Sequence, residues 1–232
     1  GLGSNYYHAK DFIDELDEIV LFLNLYIENL QNEEDLLNWF KNEIKDLEEV
    51  YLIGHSLGGD LGRYLASQFS QVTKLVLLDG GYLNLDEIMT LDDELTDTKD
   101  YFRQQVFTDI EEVIASEKSQ SSYWSKNLEE AVRNSYRYNS KTKEFELNLD
   151  LDKIINLLRL RRSIKPFEIN LDSTDVLFIA PVYQEEPKWR KEALSQLPSN
   201  FDITMLENSG HELYTQKPRE IAKLINDWIN KK

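Results

Sequence analysis

The first part of the chain has apolar residues at helical spacing. Between about residues 11 and 30 they recur every three or four positions, as on the buried face of an amphipathic helix. The apolar residues of that face are Phe12, Leu16, Ile19, Leu23, Tyr26, Ile27 and Leu30. A second helix is predicted at residues 33–45, where an acidic first turn suits the positive end of the helix dipole.

The period then changes to short, continuous apolar runs. Residues 50–53 form one such run, which Gly54 ends, and residues 74–78 form a second. Runs of this kind are typical of strands that are buried on both faces of a parallel sheet. Residues 57–69, between the two runs, have helical spacing, so this region predicts a strand–helix–strand unit.

Strand patterns lapse from residue 82 to residue 170 and then return. Helical spacing dominates the intervening segment, and apolar runs resume afterwards. Helices are predicted at about residues 101–117, 123–136, 151–162 and 189–197 and after Pro218, and strands at residues 175–179 and 201–206. The order of elements predicts the α/β class, with a mostly parallel sheet and flanking helices. Residues 1–81 and 171–232 are expected to form its core, and residues 82–170 a helical cap inserted between two strands.

Composition and charge narrow the range of partners. A chain of 232 residues that is 41% hydrophobic is long enough to bury a core and suits a single domain. Its formal net charge is −17, and a field of that sign repels phosphate groups. Nucleic acid and anionic membrane surfaces are therefore unfavourable partners, and a small molecule is the expected one.

The chain contains no cysteine, so disulfides, thiolate catalysis and cysteine metal sites are excluded. This composition fits a reducing compartment, and we expect a cytoplasmic protein. The longest apolar stretch, residues 19–27, is too short to span a bilayer. The first residues, Gly1-Leu2-Gly3-Ser4, have neither the basic region nor the apolar core of a signal peptide.

One motif with catalytic meaning lies between the first buried strand and the following helix. Gly54-His55-Ser56-Leu57-Gly58 matches the pattern G-x-S-x-G. In that pattern a sharp strand-to-helix turn exposes a serine hydroxyl, and the glycines give the turn room to pack. The start of the helix offers backbone N–H groups to a developing oxyanion. Ser56 is therefore a candidate nucleophile, the alternative being an ordinary glycine-rich turn.

A serine nucleophile needs a base, which is usually histidine, and the chain has three histidines. His55 precedes the serine and is expected to point away from its hydroxyl. His8 lies near the start, outside any loop that follows a strand. His211 follows the last predicted strand, at the same edge of the sheet as Ser56, and is the candidate base.

These features together resemble the α/β-hydrolase fold family. The resemblance rests on residues 50–59, on the strand that ends at Asp79, and on Ser209-Gly210-His211 before a helix that contains Pro218. The chain looks most like small esterases and related hydrolases with a helical cap. The resemblance implies that Ser56 is the nucleophile, His211 the general base and the Leu57 backbone N–H an oxyanion donor. It implies no metal and no organic cofactor.

The acid of the triad is less obvious, because the usual position for it holds Gln184. Some members of the family place the acid at the end of the preceding strand, where this chain has Asp79. Glu185 and Glu186 are the alternatives on the loop after residue 180. Asp79 is preferred because its carboxylate starts at the same sheet edge as Ser56. The alternative is that this aspartate only forms a turn.

The beginning of the chain also departs from the family pattern. Residues 1–4 resemble the G-x-G-x-S that follows the fourth strand of the family, so the first strands are expected to be missing. The loop that normally supplies the second oxyanion N–H would be missing with them. An expression-tag remnant is the alternative origin of these four residues.

The expected activity is hydrolysis of a carboxylic ester of a small, largely apolar molecule, through an acyl group on Ser56. Cleavage of a carbon–carbon bond or a thioester by the same triad is one alternative. A non-catalytic protein that binds a small ligand or a partner is another, and it is favoured by the missing strands and the uncertain acid. In either catalytic case the 82–170 segment is expected to cover Ser56 at the carboxyl ends of the strands.

Overall fold

The computed structural model describes residues 1–231, and of Ile27 it describes the backbone alone. The order of the regular elements begins with two helices and continues as a mixture of strands and helices. In chain order they are α1 (Tyr6–Ile13), α2 (Glu33–Ile44), β1 (Val50–His55), α3 (Leu57–Gln68), β2 (Val72–Leu78), α4 (Leu91–Gln104), β3 (Val106–Phe107), α5 (Ile110–Gln120), α6 (Lys126–Ser135), β4 (Tyr136–Asn139), β5 (Glu144–Leu147), α7 (Leu151–Ile164), β6 (Asp175–Pro181), α8 (Lys188–Ser195), β7 (Asp202–Leu206), α9 (Leu213–Gln216) and α10 (Pro218–Ile229).

The main sheet has four strands in the order β1-β2-β6-β7, and every neighbouring pair is parallel. The predicted α/β class with a parallel sheet is thereby confirmed. Strands β1 and β2 are joined through α3, and β6 and β7 through α8, as parallel neighbours require a crossover. All four strands run the same way, so their carboxyl ends meet along one edge of the sheet.

Both faces of this sheet are covered, which explains the continuous apolar runs in its central strands. Leu75 and Leu77 of β2 pack with α2 and α3 on one face. Val76 and Leu78 of the same strand pack on the other face, in a cluster formed with α1 and α10. Successive side chains of a strand point to opposite faces, so a strand covered on both sides needs apolar residues at every position.

The segment of residues 82–170 contains α4 to α7 and a second, small sheet. That sheet is antiparallel, in the order β3-β5-β4. The helix predicted at 101–117 is interrupted here: α4 ends at Gln104, β3 pairs with β5, and α5 starts after Asp109, whose side chain accepts the Glu111 N–H. The three strands have two to four residues each, too short for a period-2 pattern to be seen in the sequence. The division of the chain into core and cap stays a prediction.

The helix predicted at residues 11–30 is wrong. Helix α1 ends at residue 13, and beyond it the chain is irregular apart from a short 3-10 turn at Leu25–Ile27. Leu16 packs against the α1–α10 cluster, Leu23 packs against the cluster on the other face of the sheet, and Ile19 is fully exposed. The Ile27 side chain lies outside the described residues. The helical spacing of this segment therefore does not indicate a single buried helix face, because its apolar side chains pack in two different clusters or are exposed.

In the described part of the chain, residues 1–231, no helix is both long enough and apolar enough to cross a membrane.

Candidate active site

Ser56 lies in a strained turn between β1 and α3. Its backbone has φ 52° and ψ −122°, a conformation that side chains other than glycine rarely adopt. Close backbone packing holds the turn in place. A Cβ on Gly54 would lie 2.3 Å from the Gly58 carbonyl oxygen, and a Cβ on Gly80 would lie 2.3 Å from the Ser56 carbonyl oxygen. A Cβ on Gly58 would meet open space, so the close packing of this turn does not require a glycine at position 58.

Helix α3 begins at Leu57, directly after this serine. The first N–H groups of a helix have no acceptor within the helix, and together with the helix dipole they favour negative charge at this end. The Leu57 N–H therefore suits an oxyanion that forms on a carbonyl bound beside Ser56.

His211 lies in the loop after β7, and a carboxylate fixes its tautomer. Its Nδ1 is 2.7 Å from Asp79 Oδ2. An ionised carboxylate only accepts hydrogen bonds, so Nδ1 carries the proton and donates it, and Nε2 keeps a free electron pair. The hydrogen bond to Asp79 raises the pKa of His211 above its ordinary value, although partial burial opposes this shift. The imidazole is thus a base strengthened by its partner.

Asp79 is a buried carboxylate that ends the strand β2 region with a positive φ of 43°. Its Oδ1 accepts hydrogen bonds from the Tyr82 hydroxyl and from Arg190 Nη2, both at 3.1 Å. Burial alone would raise the pKa of Asp79, but His211 and Arg190 outweigh it, and the pKa lies below its ordinary value. Asp79 is therefore ionised at neutral pH, with one oxygen for His211 and the other for its fixed neighbours.

Arg190 holds one of the two alternative acids, Glu186, away from His211. This guanidinium is 2% exposed and binds Asp79, the Tyr82 hydroxyl and the Pro181 carbonyl. It also forms an ion pair with Glu186, which therefore faces Arg190 rather than His211. Glu185 is exposed. Of the three carboxylates considered, the structure brings only Asp79 to His211. Sequence reasoning missed Arg190, since a single arginine on a surface-like helix carries no signal of its buried position.

The other two histidines have structural contacts. His55 is buried, and its Nε2 lies 2.8 Å from the His211 carbonyl oxygen, so Nε2 is the protonated nitrogen. Burial holds the pKa of His55 well below its ordinary range, so the ring is neutral. His8 Nδ1 accepts the Asn5 N–H as part of the N-terminal cap of α1, and burial lowers the pKa of His8 to about 4.

Ser56 and His211 are held at the same edge through their neighbours. The ring of His55, next to Ser56 in the chain, donates a hydrogen bond to the His211 carbonyl oxygen. Asp79, whose neighbour Gly80 packs against the Ser56 backbone, accepts a hydrogen bond from the His211 ring. Among the described residues no hydrogen bond joins the Ser56 hydroxyl to His211. Hydrogen bonds of this kind are often long or misaligned without substrate and tighten when it binds.

His55, His211 and Glu212 are the group in residues 1–231 whose ligand atoms suit a metal ion, since one atom from each lies within 4.8 Å of the others. Nε2 of His55 and Nδ1 of His211 are already committed as donors. A cation bound there would need the remaining electron pairs, including the one that makes His211 a base.

A cavity of about 710 Å³ lies beside this edge. Its lining includes Glu212, directly after His211, and residues of α4, α5 and α6. The apolar and aromatic side chains that line it are Leu2, Met89, Tyr101, Phe102, Trp124, Leu128, Val132, Tyr136, Leu147, Leu149 and Ile154. The charged ones within the described residues are carboxylates: Glu94, Asp97, Glu117 and Glu212. The volume and lining suit an organic molecule of moderate size.

Comparison with known proteins agrees with the α/β class of this structure. The model of the α/β-hydrolase fold family matches residues 31–146. No protein of curated function matches the sequence.

Several solved structures share the fold at low sequence identity. One is E-2-(acetamidomethylene)succinate hydrolase, with a TM-score of 0.64 and 17% identity over 87% of this chain and 75% of that one. An esterase of M. tuberculosis has a TM-score of 0.61 and 15% identity over 100% and 83% of the two chains. The thioesterase domain from the curacin biosynthetic pathway has a TM-score of 0.60 and 17% identity over 82% and 71%.

Proposed function

The chain belongs to the α/β-hydrolase fold family, and we propose that it is a serine hydrolase that cleaves a carboxylic ester of a small, largely apolar molecule. The observation that carries this proposal is the 2.7 Å contact between His211 Nδ1 and the buried, ionised Asp79, beside the strained turn of Ser56. A carboxylate bonded to an imidazole, at the same sheet edge as a serine, provides the parts of a nucleophilic triad.

In the proposed reaction, Ser56 Oγ attacks the ester carbonyl carbon while His211 Nε2 takes its proton. The Leu57 N–H stabilises the negative oxygen of the tetrahedral intermediate. The alcohol leaves with the proton returned by His211, and the acyl group stays on Ser56. A water molecule then gives a proton to His211, attacks the acyl carbon and releases the carboxylic acid, after which Ser56 regains its proton. Asp79 keeps the imidazole oriented and stabilises its charged form in both halves.

We further propose that residues 82–170 act as a cap over the core formed by residues 1–81 and 171–232. The cavity supports this role, because residues of both parts line it: residues of α4, α5 and α6 from the 82–170 segment, and Gly3, Ser4 and Glu212 from the proposed core. A cap of this kind excludes water from the reacting centre and selects the substrate.

The test of the nucleophile is labelling with a fluorophosphonate, which reacts with an activated serine. We expect a single adduct on the peptide that contains Ser56, found by mass spectrometry. Ser4→Ala, which removes a serine hydroxyl from the lining of the cavity, is the matched control and should still be labelled. Absence of an adduct on Ser56 in the folded protein would favour a non-catalytic binding protein instead.

The cavity also predicts a preference among acyl groups. If the acyl chain occupies it, p-nitrophenyl hexanoate should have a higher kcat/KM than the p-nitrophenyl monoester of adipic acid, which has the same length but ends in a carboxylate. The difference should be about tenfold or more, because the second ester places a negative charge among apolar walls and the carboxylates of Asp97 and Glu117. Equal values for the two esters would show that the acyl chain binds elsewhere.

A further inference from the structure

Asp60 is a buried carboxylate one helical turn beyond Ser56, and the proposed reaction does not use it. It lies in the first turn of α3 and is 6% exposed. Its Oδ1 accepts the N–H of Gly81 at 2.8 Å. Gly81 belongs to the turn that follows β2, two residues after Asp79. Asp60 therefore connects the helix that starts at the nucleophile with the turn that carries the acid.

The same helix also holds the other polar group of Gly81. Arg63 Nη1 donates to the Gly81 carbonyl oxygen at 2.7 Å. Both hydrogen-bonding groups of this residue are thus bound by side chains of α3. The turn needs such support, because Asp79 and Gly81 both have positive φ values, 43° and 77°. The approach is close, since a Cβ on Gly59 would lie 3.0 Å from Gly80.

Asp60 has a second neighbour in the 82–170 segment. Its Oδ2 lies 3.7 Å from Arg161 Nη1 of α7, and Arg161 also forms an ion pair with Glu94 of α4. Burial raises the pKa of Asp60 to about 6, against the opposing effect of Arg161. The two contacts of Asp60 are made by different oxygens with different partners. Variants that remove one contact and keep the other therefore separate two roles.

We propose that Asp60 is a positioning residue for the catalytic acid: by accepting the Gly81 N–H, it fixes the turn after β2 so that the Asp79 carboxylate reaches His211 Nδ1. The proposal rests on the proposed function, because it assumes that Asp79 orients the base. The bond to Gly81 carries this role, and the ion pair with Arg161 does not. An amide oxygen in place of the carboxylate oxygen preserves the acceptor, whereas an apolar side chain removes it.

The experiment compares Asp60→Ala, Asp60→Asn and Arg161→Gln on a p-nitrophenyl ester. Asp60→Ala should lower kcat by about 100-fold with KM little changed, as misplacement of a catalytic group does. The acid limb of its kcat profile should move to lower pH, because the weakened contact with Asp79 no longer raises the pKa of His211. Asp60→Asn and Arg161→Gln should keep kcat near that of the wild type. Loss of the Asp60 charge, which interacts with His211, moves the limb a little in both Asp60 variants, so the proposal expects a clearly larger shift in Asp60→Ala than in Asp60→Asn. Asp60→Leu, which fills the space without an acceptor, replaces the alanine variant if that one does not fold.

A proton NMR signal for the hydrogen-bonded Nδ1–H of His211 separates this proposal from the proposed function. It should be present in the wild type and in Asp60→Asn and lost or shifted in Asp60→Ala, whether or not Ser56 reacts with an ester. Wild-type kcat, pH profile and NMR signal in Asp60→Ala would overturn the role of Asp60. An equal loss in Arg161→Gln and Asp60→Ala would also overturn it, in favour of the ion pair. A wild type without esterase activity or a Ser56 adduct counts against the proposed function alone.

Discussion

Ser56→Ala should lower kcat for a short p-nitrophenyl ester by about five to six orders of magnitude, as loss of the nucleophile does in other serine triads. The variant keeps the turn, the Leu57 N–H and the binding cavity but has no oxygen that can form the acyl intermediate. Water must then attack the ester directly, with His211 as its only base. The measurement is steady-state kinetics at saturating substrate.

Ser209→Ala is the matched control for this variant. Ser209 lies two residues before His211, and its hydroxyl bonds to the Leu206 carbonyl oxygen. Like Ser56→Ala, Ser209→Ala removes a serine hydroxyl close to the carboxyl edge of the sheet, but it should keep most of the esterase activity. Circular dichroism and thermal unfolding should show that both variants fold. Turnover by Ser56→Ala at the wild-type rate would overturn the assignment of the nucleophile.

Asp79→Asn should lower kcat by about four orders of magnitude, as the same change does in a serine protease triad. An asparagine has the shape of the aspartate but no charge to stabilise the imidazolium of His211. Its amide also has a donor, which can turn the imidazole into the wrong tautomer. Glu185 is exposed and lies on the loop where the family usually places its acid. Glu185→Gln removes its negative charge and should have little effect on kcat. A large loss in Glu185→Gln or Glu186→Gln with an active Asp79→Asn would assign the acid differently.

The pH profile gives a second measure of the same contact. In the proposed reaction His211 is a base only when Nε2 is unprotonated, so kcat/KM should rise with pH through the pKa of His211 and level off above it. The hydrogen bond to Asp79 raises that pKa above the ordinary value of 6.5. In Asp79→Asn the charge that favours the imidazolium is gone, so the limb of the residual activity should move to lower pH. A limb that does not move would show that the two side chains are not coupled.

Several features of the molecule could be predicted because short stretches of sequence encode them. A strand covered on both faces needs apolar side chains at successive positions, and β1, β2 and β6 were recognised by that property. The turn at Ser56 needs a glycine at position 54, whose Cβ would strike the Gly58 carbonyl. His211 could be selected because the chain has only three histidines and one of them follows the last strand.

Other features depend on partners far away in the chain, and the local pattern was misleading or silent there. Residues 14–30 have helical spacing, yet Leu16 and Leu23 pack against clusters on opposite faces of the sheet and Ile19 is exposed. The small antiparallel sheet of the 82–170 segment forms by pairing of short strands that are separated along the chain. In the first case the periodic signal is misleading, and in the second the strands are too short to give one, because both arrangements depend on contacts between distant segments.

The contact that favours one acid over the others is decided in the same way. The sequence by itself determined a parallel α/β sheet, a serine at a strand-to-helix turn, a histidine at the same edge and a preference for Asp79 among three candidate carboxylates. Only the tertiary structure directs Asp79 towards His211, because Arg190, which is 111 residues away from Asp79, binds Glu186 and one oxygen of Asp79 and leaves the other oxygen for the imidazole. Hydrogen bonds depend on distances and angles between side chains, and these exist only once the helix of Arg190 and the strand before Asp79 have packed together.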